Sequence, residues 1–317
     1  MPKIKSTIRD KRRQRKTKGA ITSNDELYDS LGGKIFSQKP SKTKLADIET
    51  KIVKRKRNRP LIDNEYNYQE MAQKYSEKNI AQQLGNYRQA MEFLAHITLS
   101  NNIDNDKIID KLKNLIYSYP NIDISSFVNK HHAILYSWMI QNLVRVYGQK
   151  YLGTVYILGG GIGLLGAMML DTTLRLENIR SLDINGTCKF LADEMMKDEV
   201  LADWKFKASE QDLFNVDYEK NKLEIVLPNG SMSKAFNEIP GIIINTNVSL
   251  FENQDDWWKM LPVNRKVVIV GEGRDKDIFR PFASSKAFSA AFPMSFEQYA
   301  GVITVGKKQY FMKIGLK

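Results

Sequence analysis

The 317-residue chain has one cysteine, Cys188, and three histidines, His96, His131 and His132. A lone thiol excludes an internal disulfide, and so few thiols and imidazoles exclude a Cys/His zinc cluster, so no metal site is expected. Long hydrophobic runs are missing as well: nothing approaches the roughly 18 consecutive apolar residues that a membrane-spanning helix needs. The opening stretch "MPKIKSTIRDKRRQRKTKG" has no apolar core of a secretory signal. These absences lead to the expectation of a soluble, intracellular protein with no membrane contact.

Acidic residues are scarce in one place. Residues 1–59 contain six of them against 19 lysines and arginines, which accounts for the whole net charge of +12 and leaves the remainder near neutral. Two basic clusters, Lys11 to Lys18 and Lys51 to Arg59, flank a polar stretch with too little apolar content to fold alone. Residues 1–60 are therefore expected to be a disordered basic tail. Such a segment can tether the chain to nucleic acid, because each phosphate it neutralises releases counterions. It can equally serve as a solubilising or localising tail.

The 42% hydrophobic content is that of a globular protein. Residues 61–150 read as a helical N-terminal segment. Asn67 to Ser100 is a long mixed-charge helix. In "DNDKIIDKLKNLIYSYP", Ile108, Ile109, Leu112, Leu115 and Ile116 are spaced for one face. A third helix, capped by Ser125 or Ser126 and ended by Gly148, carries the stripe Leu135, Met139, Leu143 and Val146. His131 and His132 fall at its start; one could face a pocket at the glycine strand that follows, though a helix-surface position is the commoner outcome.

Residues 151–317 alternate strand and helix. The strands are "TVYILGG", "IRSLDIN", "WKFKASEQ", "GIIINTNVSL" with its downstream turn, and "NRKVVIVGE"; the helices between them are "GLLGAMMLDTTLRL", "GTCKFLADEMMKDE" and the short "NQDDWWKML". This alternation predicts an α/β, Rossmann-like, mainly parallel sheet. Tyr299 to Gly315 reads instead as a C-terminal antiparallel hairpin turning at Gly306. Trp257 and Trp258 fit a short amphipathic helix with one ring in the core and one on the surface. "EGRDKD", Glu272 to Asp277, reads as a solvated loop.

Chemistry concentrates where the first strand ends. Leu158 is followed by Gly159, Gly160, Gly161 and Gly163, so the backbone there can adopt positive φ and lie directly against a ligand. Asp183 ends the second strand, where a carboxylate can accept from the vicinal hydroxyls of a ribose. Asp212, just past the third strand, is placed for an adenine amino group. Gly161, Gly163 and Gly166 also spell the dinucleotide fingerprint, so a nicotinamide-dependent oxidoreductase stands beside S-adenosyl-L-methionine as cofactor reading. The glycines also admit a purely structural role in helix-strand packing. The terminal hairpin, the helical extension and the lack of a second domain after the sheet favour S-adenosylmethionine.

From about Phe127 onward the chain resembles a group of tailed-phage proteins similar to class I S-adenosylmethionine-dependent methyltransferases. The resemblance rests on the order and spacing of "LGGGIGLLG", "IRSLDIN", "DWKFKASEQDLFNVDY", "EIPGIIINTNVSLFENQDDWWKMLP", "AFPMSF" and "YFMKIG". It implies that Gly159, Gly161 and Gly163 pass the methionine part of the cofactor, that Asp183 holds its ribose and that Asp212 faces its adenine. It implies, too, the cytoplasm of an infected bacterial host, with viral proteins as partners beside the nucleic acid that the basic tail would bind. In that family the strand carrying "INT" continues Ser-Cys-Glu-His; here it continues Asn247-Val248-Ser249-Leu250. The acid/base pair is gone, which leaves Asn245 as the candidate polar clamp for a methyl acceptor and opens the reading of an inactive protein that keeps the fold. The signatures of standard adenine-N6 and cytosine-C5 methylation are absent.

Overall fold

A computed structural model of the chain describes residues 68–100, 106–202, 204–223, 231, 236–273 and 278–317. The expected basic tail and the first residues of the helical segment lie outside the described residues. Gln69–Lys317 form one compact unit, so the described helices pack with the sheet and not as a body of their own.

Three helices precede the first strand: α1 (Tyr68–Ser100), α2 (Asp106–Ser118) and α3 (Lys130–Tyr147). In α2 the buried side chains are Ile108, Leu112, Leu115 and Ile116, whereas Ile109, expected on the same face, is 39% exposed. One residue along a helix turns the side chain by about 100°, out of the stripe. The start of α3 also differs from expectation. Asn129, and neither Ser125 nor Ser126, is the cap: its side-chain oxygen accepts from His132 N at 3.0 Å, and its Nδ2 donates to Ser125 O at 2.9 Å. The later cap places His131 and His132 in the first turn. Gly148, at φ 53°, ends the helix as expected.

The remainder runs β1 (Thr154–Leu158), α4 (Leu164–Leu170), β2 (Ile179–Asp183), α5 (Gly186–Met195), α6 (Lys197–Leu201), β3 (Phe206–Glu210), β4 (Asn221–Leu223), β5 (Phe236–Glu238), β6 (Pro240–Asn245), α7 (Gln254–Met260), β7 (Lys266–Glu272), α8 (Ser285–Ala291), β8 (Phe296–Val305) and β9 (Lys308–Leu316). The main sheet has the order β3-β2-β1-β6-β7-β9-β8, with β3 through β7 mutually parallel. The hairpin does not simply extend the sheet. β9 inserts antiparallel between β7 and β8, which leaves β8 at the edge.

Strand residues alternate between two cores. Val155, Ile157, Ile179, Ile242 and Ile244 join α1–α5 on one face; Tyr156, Leu158, Leu182, Ile243 and Phe311 join α7 and α8 on the other. Both tryptophans belong to the second core, Trp257 at 0% and Trp258 at 6% exposure, which corrects the expectation of one surface ring. Trp257 Nε1 donates to Tyr218 Oη at 3.0 Å, so its polar edge is satisfied inside.

Two helices are shorter than the sequence pattern suggests. α4 stops at Leu170 because Thr172 Oγ1 donates back to Met169 O and accepts from Leu174 N, a local turn that competes with helix. The helix expected from Gly186 to Glu199 is broken at Met196 into α5 and α6. The β4–β5 ribbon and α8 had no counterpart in the sequence reading.

β1 and β6 approach unusually closely at their start. A Cβ on Gly241 would sit 1.9 Å from Leu152 O and 3.1 Å from Gly153 Cα, both main-chain atoms that cannot rotate away. Gly241→Ala is therefore expected to disrupt the central strand pair and give a chain without cooperative thermal unfolding by circular dichroism. A native-like melt would show that this approach is not needed.

Candidate functional site

The chain passes outward from β1 through β2 to β3, then returns to β6 on the other side of β1. Such a reversal opens a crevice beyond the carboxyl ends of the strands, where backbone groups are free to meet a ligand. The glycine turn leaves β1 at that point.

Gly159, Gly161 and Gly163 all have positive φ, 66°, 54° and 84°. They do not have the same surroundings. Gly159 is exposed and Gly161 partly so, while Gly160 and Gly163 are buried. A Cβ on Gly160 would meet Ser181 Oγ at 2.0 Å, and one on Gly163 would meet Phe206 and Ala192 at 3.2 and 3.4 Å. A Cβ on Gly159 would meet Thr246 Oγ1 at 3.1 Å and one on Gly161 the Phe127 ring at 3.1 Å, so exposure and not side-chain room separates the two pairs. The backbone open to a ligand is that of Gly159 and Gly161. Gly166, the last glycine of the fingerprint, likewise packs against Phe206.

Asp183 is partly buried, with one carboxylate oxygen against this loop and the other at an exposed hydrogen bond. Its Oδ2 accepts from Gly161 N at 3.0 Å and its Oδ1 from Asn185 N at 3.0 Å. Each carboxylate oxygen has two lone pairs, so one acceptor position remains on each oxygen. Gln211 N donates to Asp183 O at 2.9 Å, which brings Asp212 alongside. Asp212 Oδ1 caps the short turn Leu213–Asn215 by accepting from Phe214 N at 2.9 Å, leaving the second oxygen for other use. Ile184, directly after Asp183, is 72% exposed and gives the same corner an apolar surface.

Across the crevice, Thr246 Oγ1 lies 3.1 Å from Leu158 O and 3.0 Å from Gly159 O and ties the end of β6 to the glycine turn. Asn245 is 3% exposed; its side-chain oxygen accepts from Asn247 N at 3.2 Å, and its Nδ2 has no partner among the described residues. A buried donor left unpaired costs on the order of 1–3 kcal/mol, which a bound acceptor group would recover. Asn247 Nδ2 donates to Glu272 Oε2 at 3.0 Å, and Lys308 pairs with the same carboxylate at 2.9 Å. Glu272 is thus a buried member of this corner, at 4% exposure, and not the start of a solvated loop; residues 274–277 lie outside the described residues.

The segment leading into α3 roofs the crevice. Phe127 reaches the glycine turn, close enough that a Cβ on Gly161 would come within 3.1 Å of its ring. His131 Nε2 makes a short hydrogen bond with the hydroxyl of Tyr310, the residue paired with Glu272 across β7 and β9. The His131 and His132 rings meet edge to face, and His132 leans on Tyr136. Neither histidine is a plain surface residue: both are partly buried, and His132 Nδ1 is sealed from solvent without a partner among the described residues.

Burial pushes the His132 ring down to about 4, with the charges of His131 and Lys308 adding to the effect. His131 is lowered by burial and by Lys308, against an opposing pull from Glu272. An unfolded histidine titrates near 6.5. As pH falls from about 6.5 towards 4 the unfolded chain takes up a proton that folded His132 refuses, so stability drops across that window. His132→Gln should flatten the dependence of melting temperature on pH between 7 and 4; an unchanged slope would mean His132 is not held neutral. Cys188, near Asp183, is pushed up to about 11 by burial and by that carboxylate, so it is no nucleophile at neutral pH.

Of the residues singled out by sequence, the fold brings Gly159, Gly161, Asp183, Asp212 and Asn245 to one edge of the sheet. Phe127, Ile184, Glu272 and Tyr310 join them without having been selected, and His131, one of the two histidines that could face the pocket, joins through Tyr310. Ile184 was open to notice as an apolar residue beside the acidic strand end. Phe127, Glu272 and Tyr310 are distant in sequence and carried no local signal. Among the described residues no group of histidine, cysteine, aspartate or glutamate side chains could hold a metal ion, and no helix is long and apolar enough to cross a membrane.

No protein-family profile and no curated protein matches the chain. Solved structures do. Geranyl diphosphate C-methyltransferase from Streptomyces coelicolor A3(2), in complex with Mg2+, geranyl-S-thiolodiphosphate and S-adenosyl-L-homocysteine, aligns at 10% identity over 57% of this chain and 75% of its own, with a TM-score of 0.42. Magnesium protoporphyrin IX methyltransferase from Synechocystis PCC 6803, with S-adenosylmethionine bound, aligns at 12% identity over 69% of this chain and 97% of its own, with a TM-score of 0.39.

Proposed function

We propose that this crevice binds S-adenosyl-L-methionine and that the chain transfers its methyl group. The observation carrying the reading is Asp183, a carboxylate at the end of β2 that grips Gly161 N yet keeps an acceptor position on each oxygen. That arrangement fits a ribose diol lying against a glycine backbone. Asp212 would take the adenine amino group, Ile184 an adenine face, and the open backbone of Gly159 and Gly161 the methionine part.

The bound cofactor supplies an electrophilic methyl on a sulfonium, whose in-line displacement depends mainly on alignment and exclusion of water. Asn245 Nδ2, buried and unpaired among the described residues, is placed to hold an acceptor atom at the β6 end. The Phe127 ring stands against Gly161 and would limit water on that side of the turn. The topology supports this cofactor over a nicotinamide: the classic dinucleotide sheet is parallel in the order 3-2-1-4-5-6, whereas here β9 pairs antiparallel along the length of β7.

The acceptor is nucleic acid in this reading, drawn in by the basic clusters of residues 1–60. The setting is a tailed-phage protein in the cytoplasm of its bacterial host, with viral proteins as further partners. A second reading, a non-catalytic phage protein that keeps the fold, is favoured by Asn247-Val248-Ser249-Leu250 standing where the resembling family has Ser-Cys-Glu-His.

Calorimetric titration of the intact chain with S-adenosylhomocysteine and with NAD tests the proposal. Binding of the first and not the second is expected. Binding of neither leaves the non-catalytic reading, and preference for NAD overturns the cofactor. For the tail, oligonucleotide affinity should fall steeply with salt, and replacing the lysines and arginines of residues 11–18 by glutamine should reduce that slope; an unaltered slope would remove this cluster from the contact.

A further inference from the structure

His131 and Tyr310 form a pair that binding of the cofactor, as proposed above, does not use. Nε2 of His131 and the phenol oxygen of Tyr310 share a short hydrogen bond, and the two rings meet edge to face with centroids 5.0 Å apart. Two lines of contact lead from the glycine turn to this pair. Phe127, whose ring stands against Gly161, precedes His131 in the segment that enters α3. From the end of β6, Asn247 N donates to Asn245 Oδ1 at 3.2 Å and Asn247 Nδ2 to Glu272 Oε2 at 3.0 Å, and Glu272 is the residue opposite Tyr310 where β7 pairs with β9. The pair therefore borders the same end of the sheet as Asn245, the proposed clamp for the methyl acceptor.

The groups around the His131 ring are Tyr310 and Lys308 on β9, Glu272 on β7 and His132 on α3, whose ring lies 6.1 Å away edge to face. Burial and the Lys308 charge hold its pKa below the ordinary value, so the half-buried ring is neutral at pH 7. A neutral imidazole that donates through Nε2 to a hydroxyl oxygen keeps a lone pair on Nδ1. Once protonated it retains that bond and gains attraction to Glu272. We infer that His131, held through Nε2 by Tyr310, takes the proton that the methyl acceptor loses, and that the acceptor is therefore an amine or a hydroxyl of nucleic acid. The acceptor atom bonds to the methyl carbon as the carbon–sulfur bond breaks. The sulfonium becomes the neutral thioether of S-adenosylhomocysteine, and the acceptor's hydrogen passes as a proton to Nδ1. A base's ring nitrogen has no hydrogen at its lone pair and needs no such group. The inference rests on the proposed cofactor reading and adds to it the acid/base function that Asn247-Val248-Ser249-Leu250 lacks.

The test uses the intact chain, wild type, His131→Gln and Tyr310→Phe, with S-adenosylmethionine carrying a tritiated methyl group and, as acceptors, unmethylated bacterial DNA and RNA. After digestion to nucleosides, label is expected on an exocyclic amine or a hydroxyl. At saturating cofactor His131→Gln should slow transfer at least about a hundredfold, as for loss of a positioned base. The wild-type rate should fall as pH drops below about 6.5 and the imidazole fills with protons, and His131→Gln should lack that limb. Tyr310→Phe keeps the base and loses its tether, so a smaller loss that retains the limb is expected. By calorimetry both variants should bind S-adenosylhomocysteine much as wild type does. Transfer by His131→Gln near the wild-type rate overturns the inference, and so does label on a ring nitrogen or on neither polymer. Loss of S-adenosylhomocysteine affinity along with transfer in His131→Gln overturns it too, because the residue would then only support the fold. Failure of the wild type to bind S-adenosylhomocysteine would instead remove the cofactor reading beneath it.

Discussion

Asp183→Ala should lose S-adenosylhomocysteine binding by at least about a hundredfold. In the proposed site the carboxylate would offer charge-assisted acceptors to two ligand hydroxyls, at roughly 1.5–3 kcal/mol each. It also orders the surface it belongs to, since Gly161 N donates to Oδ2 at 3.0 Å. Alanine removes the ligand contact and the tie on the glycine turn together. Asp183→Asn keeps one acceptor oxygen and loses the charge, and an intermediate affinity is expected. Calorimetry alongside thermal melts separates lost binding from lost fold. Asp183→Ala binding within threefold of wild type would disprove the ribose role and, with it, the placement of the cofactor.

A large loss of stability is expected at Arg180. Its guanidinium is 3% exposed and makes a two-pronged contact with Glu238, Nε to Oε2 at 3.0 Å and Nη2 to Oε1 at 2.8 Å, while Nη1 donates to Trp204 O at 2.8 Å. Tyr156 Oη adds a 3.3 Å bond to Glu238 and accepts from Asn221 Nδ2 at 3.2 Å, so the group pins both strands of the β4–β5 ribbon to the main sheet. Arg180→Met leaves the Glu238 carboxylate buried without a cation, at a cost of about 3–5 kcal/mol. For a unit of this size that corresponds to a melting temperature lower by roughly 10 °C. The double variant Arg180→Met, Glu238→Leu should recover most of the loss, because an apolar pair of similar volume carries no desolvation cost. Denaturant unfolding of the two variants checks this; a double variant as unstable as the single one would show that packing, and not the orphaned charge, governs the site.

The parts of the site readable from sequence are those encoded by consecutive residues. Only glycine tolerates the backbone of positions 159, 161 and 163 without strain. The strand that follows ends in an aspartate by its own alternation. The parallel sheet was legible because β-rich and helix-periodic stretches alternate, and the hairpin because Gly306, at φ 63°, marks its turn. Reading failed where one side chain decided between two local structures. Thr172 ended α4 early by bonding to the turn behind it, and Asn129 displaced two serines as the cap of α3.

By itself, then, the sequence determined the glycine turn, the acidic strand end after it and the order of strands and helices, because φ/ψ limits and side-chain periodicity act within a few neighbouring residues. Only the tertiary structure decided what faces that turn. It set the His131 ring on Tyr310, 179 residues away, Arg180 on Glu238, 58 residues away, and Phe127 against Gly161. It also buried Glu272, and it enclosed Gly160 and Gly163 while leaving Gly159 exposed and Gly161 partly so. The physical reason is that these neighbours are chosen by how the crossovers return each strand to the sheet and by how α3 packs over its edge, and that packing is specified by the whole core and by no single stretch of chain.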